Sequence, residues 1–308
     1  MRALLIANPK ATSTSRRVRD LLVRTFTSDL DLELVETGYR GHATEQARQA
    51  ATEGYDLVVT LGGDGTVNEA VNGLLADGPS PDLPALAVLP SGSANVFARA
   101  LGLPNDPLRA TAQILDALRN DRQRTVGLGQ AEGRYFTFSA GVGLDAEVVH
   151  AVEQARLSGF RARPQLYIRT ALRQFFAVSD RRHPALTLEQ PGHPPIGGLF
   201  LAIVANTSPW TYLGPRPVLS SPRADFNSGL DLLATRKLSA LHTISMIAQM
   251  MLPRTTGVHG RFAVNVHDAT EITLRSTRPI AFQVDGDYLG TREAITFRSI
   301  PKALRIVV

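Results

Sequence analysis

Between residues 1 and 125 short apolar, β-branched runs alternate with helical patterns. Ala3–Ala7 is followed by Ser15–Phe26, Leu32–Glu36 by Ala43–Thr52, Leu57–Leu61 by Thr66–Leu75, and Ala85–Leu89 by Ala94–Leu101 and Leu108–Leu118. Strand-helix alternation at this spacing builds βαβ units, so the stretch predicts an α/β domain around a mainly parallel sheet. Ligands of such sheets sit where strand ends meet loops. That rule places Asn8–Ser13, Thr37–His42, Gly62–Gly65 and Ser91–Asn95 along one edge, because each follows a strand.

From Thr125 onward strands follow strands: Arg134–Ser139, Ala185–Gln190, Leu199–Ala205, Leu230–Ala234, Phe262–Val266, Glu271–Leu274, Ile280–Val284, Ala294–Phe297 and Leu304–Val308. Such a series predicts an antiparallel β-sandwich, interrupted by helices at Ala146–Arg156, Gln165–Ala177 and Ser239–Met251. The domains are therefore read as residues 1–125 and 126–308, with the last residues free to return to the first domain. A chain of 308 residues is long enough for both.

Composition removes several chemistries. With 0 Cys there are no disulfides, thiolate zinc sites, iron–sulfur clusters or cysteine nucleophiles. The run Met1–Ala7 meets Asn8 and Pro9 before an export signal can form, and no stretch has the length of a membrane helix. A cytoplasmic protein, at most resting on a membrane, is the expectation. The net charge of +5 is uneven: residues 1–125 carry 13 Lys and Arg against 15 Asp and Glu (−2), and residues 126–308 carry 20 against 13 (+7). The basic half suits an anionic lipid or a phosphorylated ligand, and no recognised nucleic-acid motif accompanies it.

The chemistry centres on Leu61-Gly62-Gly63-Asp64-Gly65-Thr66-Val67-Asn68-Glu69. Glycines allow a tight turn and close backbone approach, and the following helix start offers N–H groups to phosphate. Asp64 within the turn can hold a magnesium-bound water. No Gly-Lys-Ser/Thr loop and no His-Arg-Asp loop competes with it. Gly141-Val142-Gly143-Leu144-Asp145-Ala146 imitates a dinucleotide fingerprint but lies outside the βαβ series, so it reads as turn geometry. A second loop, Ser91-Gly92-Ser93-Ala94-Asn95-Val96-Phe97-Ala98, places small hydroxyl residues between a strand and a helix.

In order, these segments resemble the lipid kinase family that unites soluble bacterial diacylglycerol kinases with eukaryotic diacylglycerol, ceramide and sphingosine kinases. The matching marks are Asn8-Pro9, Thr37, Gly62-Gly63-Asp64-Gly65-Thr66 with Asn68-Glu69, Gly92-Ser93-Ala94-Asn95 with Phe97-Ala98, and Val284-Asp285-Gly286-Asp287, which is similar to the family's Asp-Gly-Glu motif. The resemblance implies ATP and Mg2+ as cofactors, ATP held between the α/β domain and the β-sandwich, and phosphoryl transfer to a lipid hydroxyl. It further implies that Asn8, Pro9, Lys10, Ala11, Thr12, Thr37, Gly62, Gly63, Asp64, Gly65, Thr66, Asn68, Glu69 and Ser93 line the nucleotide site. Asp64 would join the magnesium–water network, and Asp287 would be the general base, with Asp285 its rival or partner.

Two departures from the family pattern stand out. Asp287 replaces the commoner Glu and is one methylene shorter. A structural magnesium site implied by the family would fall at Asp225, Ser228 and Leu230, where Ser228 stands in place of an Asp and Asp225 or Asp231 could supply the charge.

Two segments are candidate lipid-facing surfaces. In Lys237–Leu252 a stripe of Leu238, Leu241, Ile244, Ile247, Ala248 and Met251 reads as core packing, whereas Met246 and Met250 lie off it, as in a lipid-contacting helix. In the other, Arg156, Arg161, Arg163, Arg169, Arg173, Arg181 and Arg182 interleave with Phe160, Tyr167, Phe175 and Phe176. The histidines show no metal-ligand spacing. The expected function is an ATP- and Mg2+-dependent lipid kinase acting on diacylglycerol at an anionic membrane surface. NAD kinase activity and a nucleotide- and lipid-binding regulator without turnover are the alternatives, and an antiparallel edge in the second domain offers a route to a homodimer.

Overall fold

The computed structural model describes residues 1–11, 16–157, 182–252 and 257–308. The chain divides into two compact units, residues 1–127 with 301–308, and residues 128–300.

In the first unit, β1 (Arg2–Ala7), β2 (Asp31–Glu36), β3 (Leu57–Gly62) and β4 (Ala85–Pro90) form a parallel sheet in the order β2-β1-β3-β4. The helices α1 (Arg16–Thr27), α2 (His42–Thr52), α3 (Asp64–Leu74), α4 (Val96–Ala100) and α5 (Pro107–Arg119) connect and cover these strands. The segments LVVTLG of β3 and ALAVLP of β4 are buried along their whole length, the signature of central parallel strands covered on both faces. Beyond β4 the sheet is extended by the end of β16 (Asp287–Val307), with Ile306 parallel to Leu86 and Leu304, Ile306 and Val307 all buried.

The second unit is antiparallel. After β5 (Gln123–Ala131) and β6 (Arg134–Phe136) come β7 (Ser139–Gly143), α6 (Leu144–Leu157), β8 (Leu186–Glu189), β9 (Ile196–Leu199), β10 (Leu201–Ala205), the short β11 (Thr211–Leu213) and β12 (Arg216–Val218), β13 (Leu230–Thr235), α7 (Ala240–Met250), β14 (Ala263–Ala269) and β15 (Glu271–Val284). The strand order is β14-β13-β10-β7-β15-β16, with β8 also on β15 and β9 on β8. Phe136, Phe282 and Phe297 meet edge to face at its centre.

The α/β and antiparallel halves agree with the expected fold class, and several element boundaries differ for identifiable reasons. Arg134–Ser139 is two strands, because the amides of residues 137–139 are taken by a buried carboxylate described below. Residues 271–274 and 280–284 are one strand, which absorbs Pro279 in a register shift between Arg275 and Ile280. Residues 294–297 and 304–308 fall in the continuous β16, where Lys302 takes φ 50° just after Pro301. The expected helix Gln165–Ala177, and with it Arg161, Arg163, Arg169, Arg173, Arg181 and the aromatics between them, lies outside the described residues.

One expectation is reversed. On α7 Met246 and Met250 are buried, 5% and 2% exposed, whereas Leu241, Ile244 and Ile247 are 84%, 64% and 46% exposed. Of the stripe read as core, Leu238 is buried but Leu241, Ile244 and Ile247 face water, and the methionines read as lipid-facing fill the core beside Leu201, Ile203 and Leu233.

Candidate active-site groups in the two units

In the first unit strand ends converge on the start of α3. Asn8 donates its backbone N–H to Leu61 O at 2.9 Å and its side-chain amide to Thr66 Oγ1 at 3.2 Å, while its Oδ1 accepts from Lys10 N at 2.9 Å. Asn8 thereby ties the end of β1 to the end of β3 and to the first turn of α3. Ser91 N donates to Gly62 O at 2.9 Å, which carries the β3–β4 pairing into the loops. Two glycines meet there: a Cβ on Gly92 would stand 2.6 Å from Gly63 Cα. Only residues without side chains allow these loops to approach so closely. Helix α3 opens at that contact, where the first-turn amides of Gly65 and Thr66 lack intrahelical acceptors and form the positive end of the dipole.

Asp64 holds the neighbouring loop, its Oδ1 accepting from Phe97 N at 3.2 Å. Asn95, in the left-handed region at φ 50°, accepts from Gly92 N at 2.8 Å and donates to Asn105 Oδ1 at 2.7 Å. Asn105, absent from the sequence reading, thus braces the second loop. Glu69 accepts from Gly41 N at 3.0 Å and Ala43 N at 3.3 Å, so its carboxylate serves the start of α2. Thr37 follows β2 with its N–H on Ala7 O at 2.8 Å, Asn68 is buried, and Pro9, Lys10 and Ser93 are exposed. Thr12 lies outside the described residues.

In the second unit Asp285 and Gly286 form a two-residue hairpin turn at φ 46° and 82° between β15 and β16. The Asp285 carboxylate is buried and accepts four hydrogen bonds, from Thr137 N, Thr137 Oγ1, Phe138 N and Ser139 N at 2.6, 2.8, 3.0 and 3.1 Å. Burial pushes its pKa up, and these donors pull against that rise. Asp287, half-buried, accepts from the Arg134 guanidinium at 2.6 Å. Gln283 accepts from Gly286 N at 2.8 Å and donates to Asp145 Oδ2 at 2.7 Å, which links the turn to the start of α6. His150 of α6 packs on Tyr288 with ring centroids 4.0 Å apart. A cleft of about 310 Å³ lined by Leu144, Glu147, His150, Arg278, Ile280 and Tyr288 opens beside these rings.

Residues 2–131 match the family described as the diacylglycerol kinase catalytic domain. Over those residues the chain is similar to that family. The diacylglycerol kinase of Bacillus subtilis (strain 168) is 29% identical over 255 residues, 81% of this chain and 77% of its own length. That of Staphylococcus aureus (strain bovine RF122 / ET3-1) is 28% identical over 292 residues, 94% and 87% of the two chains. Among solved structures, a diacylglycerol kinase of Bacillus anthracis str. Sterne aligns with a TM-score of 0.71 at 19% identity, covering 99% of this chain and 96% of its own. An NAD kinase from Archaeoglobus fulgidus, solved in complex with ATP, aligns at 0.53 and 13%, covering 100% and 94%. At these identities the structures show a shared fold, and that fold is the expected class.

Within the matched residues the Gly63–Gly92 contact is a cradle that a Cβ would fill, and it fits a polyphosphate laid on the start of α3. Asp64 adds one carboxylate there, a donor set suited to magnesium that keeps its waters and binds through phosphate oxygens. Among the described residues no group of three or more His, Asp or Glu is assembled to hold a metal by itself. Asp225, Ser228 and Leu230, where a structural magnesium site is expected, lie in and just after one hydrogen-bonded turn. There Asp225 Oδ1 accepts from Asn227 N and Nδ2, and Ser228 Oγ donates to Asp225 O at 2.9 Å. The nearby Asp231 pairs with His267 Nδ1 at 2.7 Å.

Asp145 is a further residue missed in the sequence, where Gly141–Ala146 reads as turn geometry. A Cβ on Gly141 would stand 1.6 Å from Asp145 Oδ2, so the carboxylate is seated directly over that glycine. Burial pushes its pKa up to about 6. A folded-state pKa above the unfolded value favours the protonated form, so the fold loses stability as pH rises from about 4 to 6. Asp145→Asn removes that loss. Its melting temperature is expected to exceed the parent's at pH 8, by an amount equivalent to ~1–3 kcal/mol, with the advantage gone at pH 4. An advantage independent of pH in calorimetry would contradict this origin.

Proposed function

We propose that the protein transfers the γ-phosphate of ATP to a lipid hydroxyl, with diacylglycerol as the acceptor and phosphatidate as the product, at the surface of an anionic membrane. The glycine cradle at the start of α3, lying inside the matched catalytic domain, carries this reading. Amides of the first turn of α3 bind and orient the phosphates, and Asn8 and Thr66 keep that turn in register with the strand ends. Magnesium, when bound, offsets the charge of the phosphates beside Asp64. Asp287 takes the proton of the lipid hydroxyl as its oxygen bonds to the γ-phosphorus and the bond to the ADP oxygen breaks. Arg134 holds the Asp287 carboxylate in place, and the two sit on adjoining parts of the second unit. Asp285, with four donors on its two oxygens, shapes the backbone beneath Asp287.

The test is transfer from γ-labelled ATP with magnesium to a panel of lipids in mixed micelles, run beside NAD. A labelled lipid that disappears with Asp64→Ala supports the reading and identifies the acceptor. Labelled NAD with no labelled lipid would make the protein an NAD kinase, and ATP binding with no product would make it a regulator.

A further inference from the structure

We propose that α7 is the face with which the protein lies on an anionic lipid bilayer. The helix Ala240–Met250 contains no charged residue. It is fastened to the second unit by Met246 and Met250, which pack with Leu201, Ile203, Leu233 and Leu238. Its opposite side carries Leu241, Ile244 and Ile247 out into water, and Met251 and Leu252 continue the exposed run past its end. The spacing of three residues sets these side chains along one face over about two turns. A surface helix ordinarily presents polar groups on that side, and a contiguous exposed apolar patch marks a contact with something else.

Charge selects the occupant. From Leu232 to His267 the sequence contains no Asp or Glu, and the described residues of this stretch include Arg236, Lys237 and Arg261. At the start of α7 the Lys237 ammonium and the Arg261 guanidinium lie over the Phe262 ring, 4.8 and 4.5 Å from its centroid, with the His242 ring edge-on at 5.4 Å. Burial and the neighbouring Lys237 lower the His242 pKa, so the cluster's charge comes from the lysine and arginines. An uncharged apolar helix flanked by cations and an aromatic ring matches a segment lying in the headgroup plane. There the apolar face enters the acyl boundary and the cations meet phosphates. A second copy of the chain would bring no carboxylate from this segment to answer the cations.

The inference rests on the lipid kinase reading only for the source of the bilayer, and the contact is measurable without turnover. The full chain, without ATP, is sedimented with vesicles of phosphatidylcholine alone or with about one-third phosphatidylglycerol. Binding is expected to be about tenfold tighter to the anionic vesicles and to weaken as salt rises. Combined Leu241→Ser, Ile244→Ser and Ile247→Ser should reduce binding about tenfold or more with an unchanged melting temperature, because these side chains are exposed. Combined Lys237→Gln and Arg261→Gln should remove the preference for anionic vesicles. Leu21→Ser with Leu108→Ser, exposed apolar positions on the first unit, should change nothing. Failure of the parent chain to bind vesicles, or binding by the triple serine variant equal to the parent's, overturns the proposal. Dissociation of a dimer by the triple variant with vesicle binding intact would make this face a contact between copies. Vesicle binding without kinase activity would leave this inference standing while the proposed function fell.

Discussion

Asp287→Asn is expected to lower turnover by ~10²–10⁴-fold while leaving ATP affinity essentially unchanged, the range associated with removing a general base. Asparagine keeps the size of the side chain and can still accept from Arg134, so the hairpin should be undisturbed. What it loses is the capacity to take a proton. Steady-state turnover and equilibrium ATP binding, measured on the same preparation, separate the two effects. Retained turnover would move the proton acceptor to Asp285, and Asp285→Asn would then have to abolish activity in a protein of normal fold.

Asp285→Ala is expected to act on the fold instead. Three backbone amides and a hydroxyl converge on that carboxylate in a buried position. Each donor left without a partner costs ~1–3 kcal/mol, so a loss of about 4 kcal/mol or more is anticipated, a large fraction of a typical domain's ~5–15 kcal/mol. The urea midpoint of the second unit should fall accordingly. A midpoint equal to the parent's would contradict the bracing role, because replacement by Ala leaves nothing at the site to accept those bonds.

The first unit was legible in the sequence because its signals are local. Runs such as LVVTLG alternate with helical stretches, and Gly62–Gly65 marks the passage from β3 into α3 within a few residues. The second unit was less legible because its decisive contacts join distant residues. A carboxylate in an Asp-Gly turn looks the same whether it is a catalyst or a brace. The bracing of Asp285 comes from Thr137, 148 positions away, whose N–H and hydroxyl donate to its carboxylate. The Arg134–Asp287 pair spans 153 positions and left no local mark. Pro279 and Pro301 suggested strand breaks, whereas a register shift and a positive φ at Lys302 carry the strands through. On α7 a helical period revealed that there were two faces, and only the tertiary packing decided that the methionine face turned inward.

Residues 301–307 complete the parallel sheet that begins at Arg2, with Ile306 beside Leu86 and the Arg305 guanidinium on Leu83 O. A ribosome delivers that strand only after residues 128–300 have been made. Until then the edge of β4 lacks the strand that pairs with it in the folded unit. A chain stopped before residue 301 would therefore keep an open sheet edge, the kind of edge that pairs with other chains.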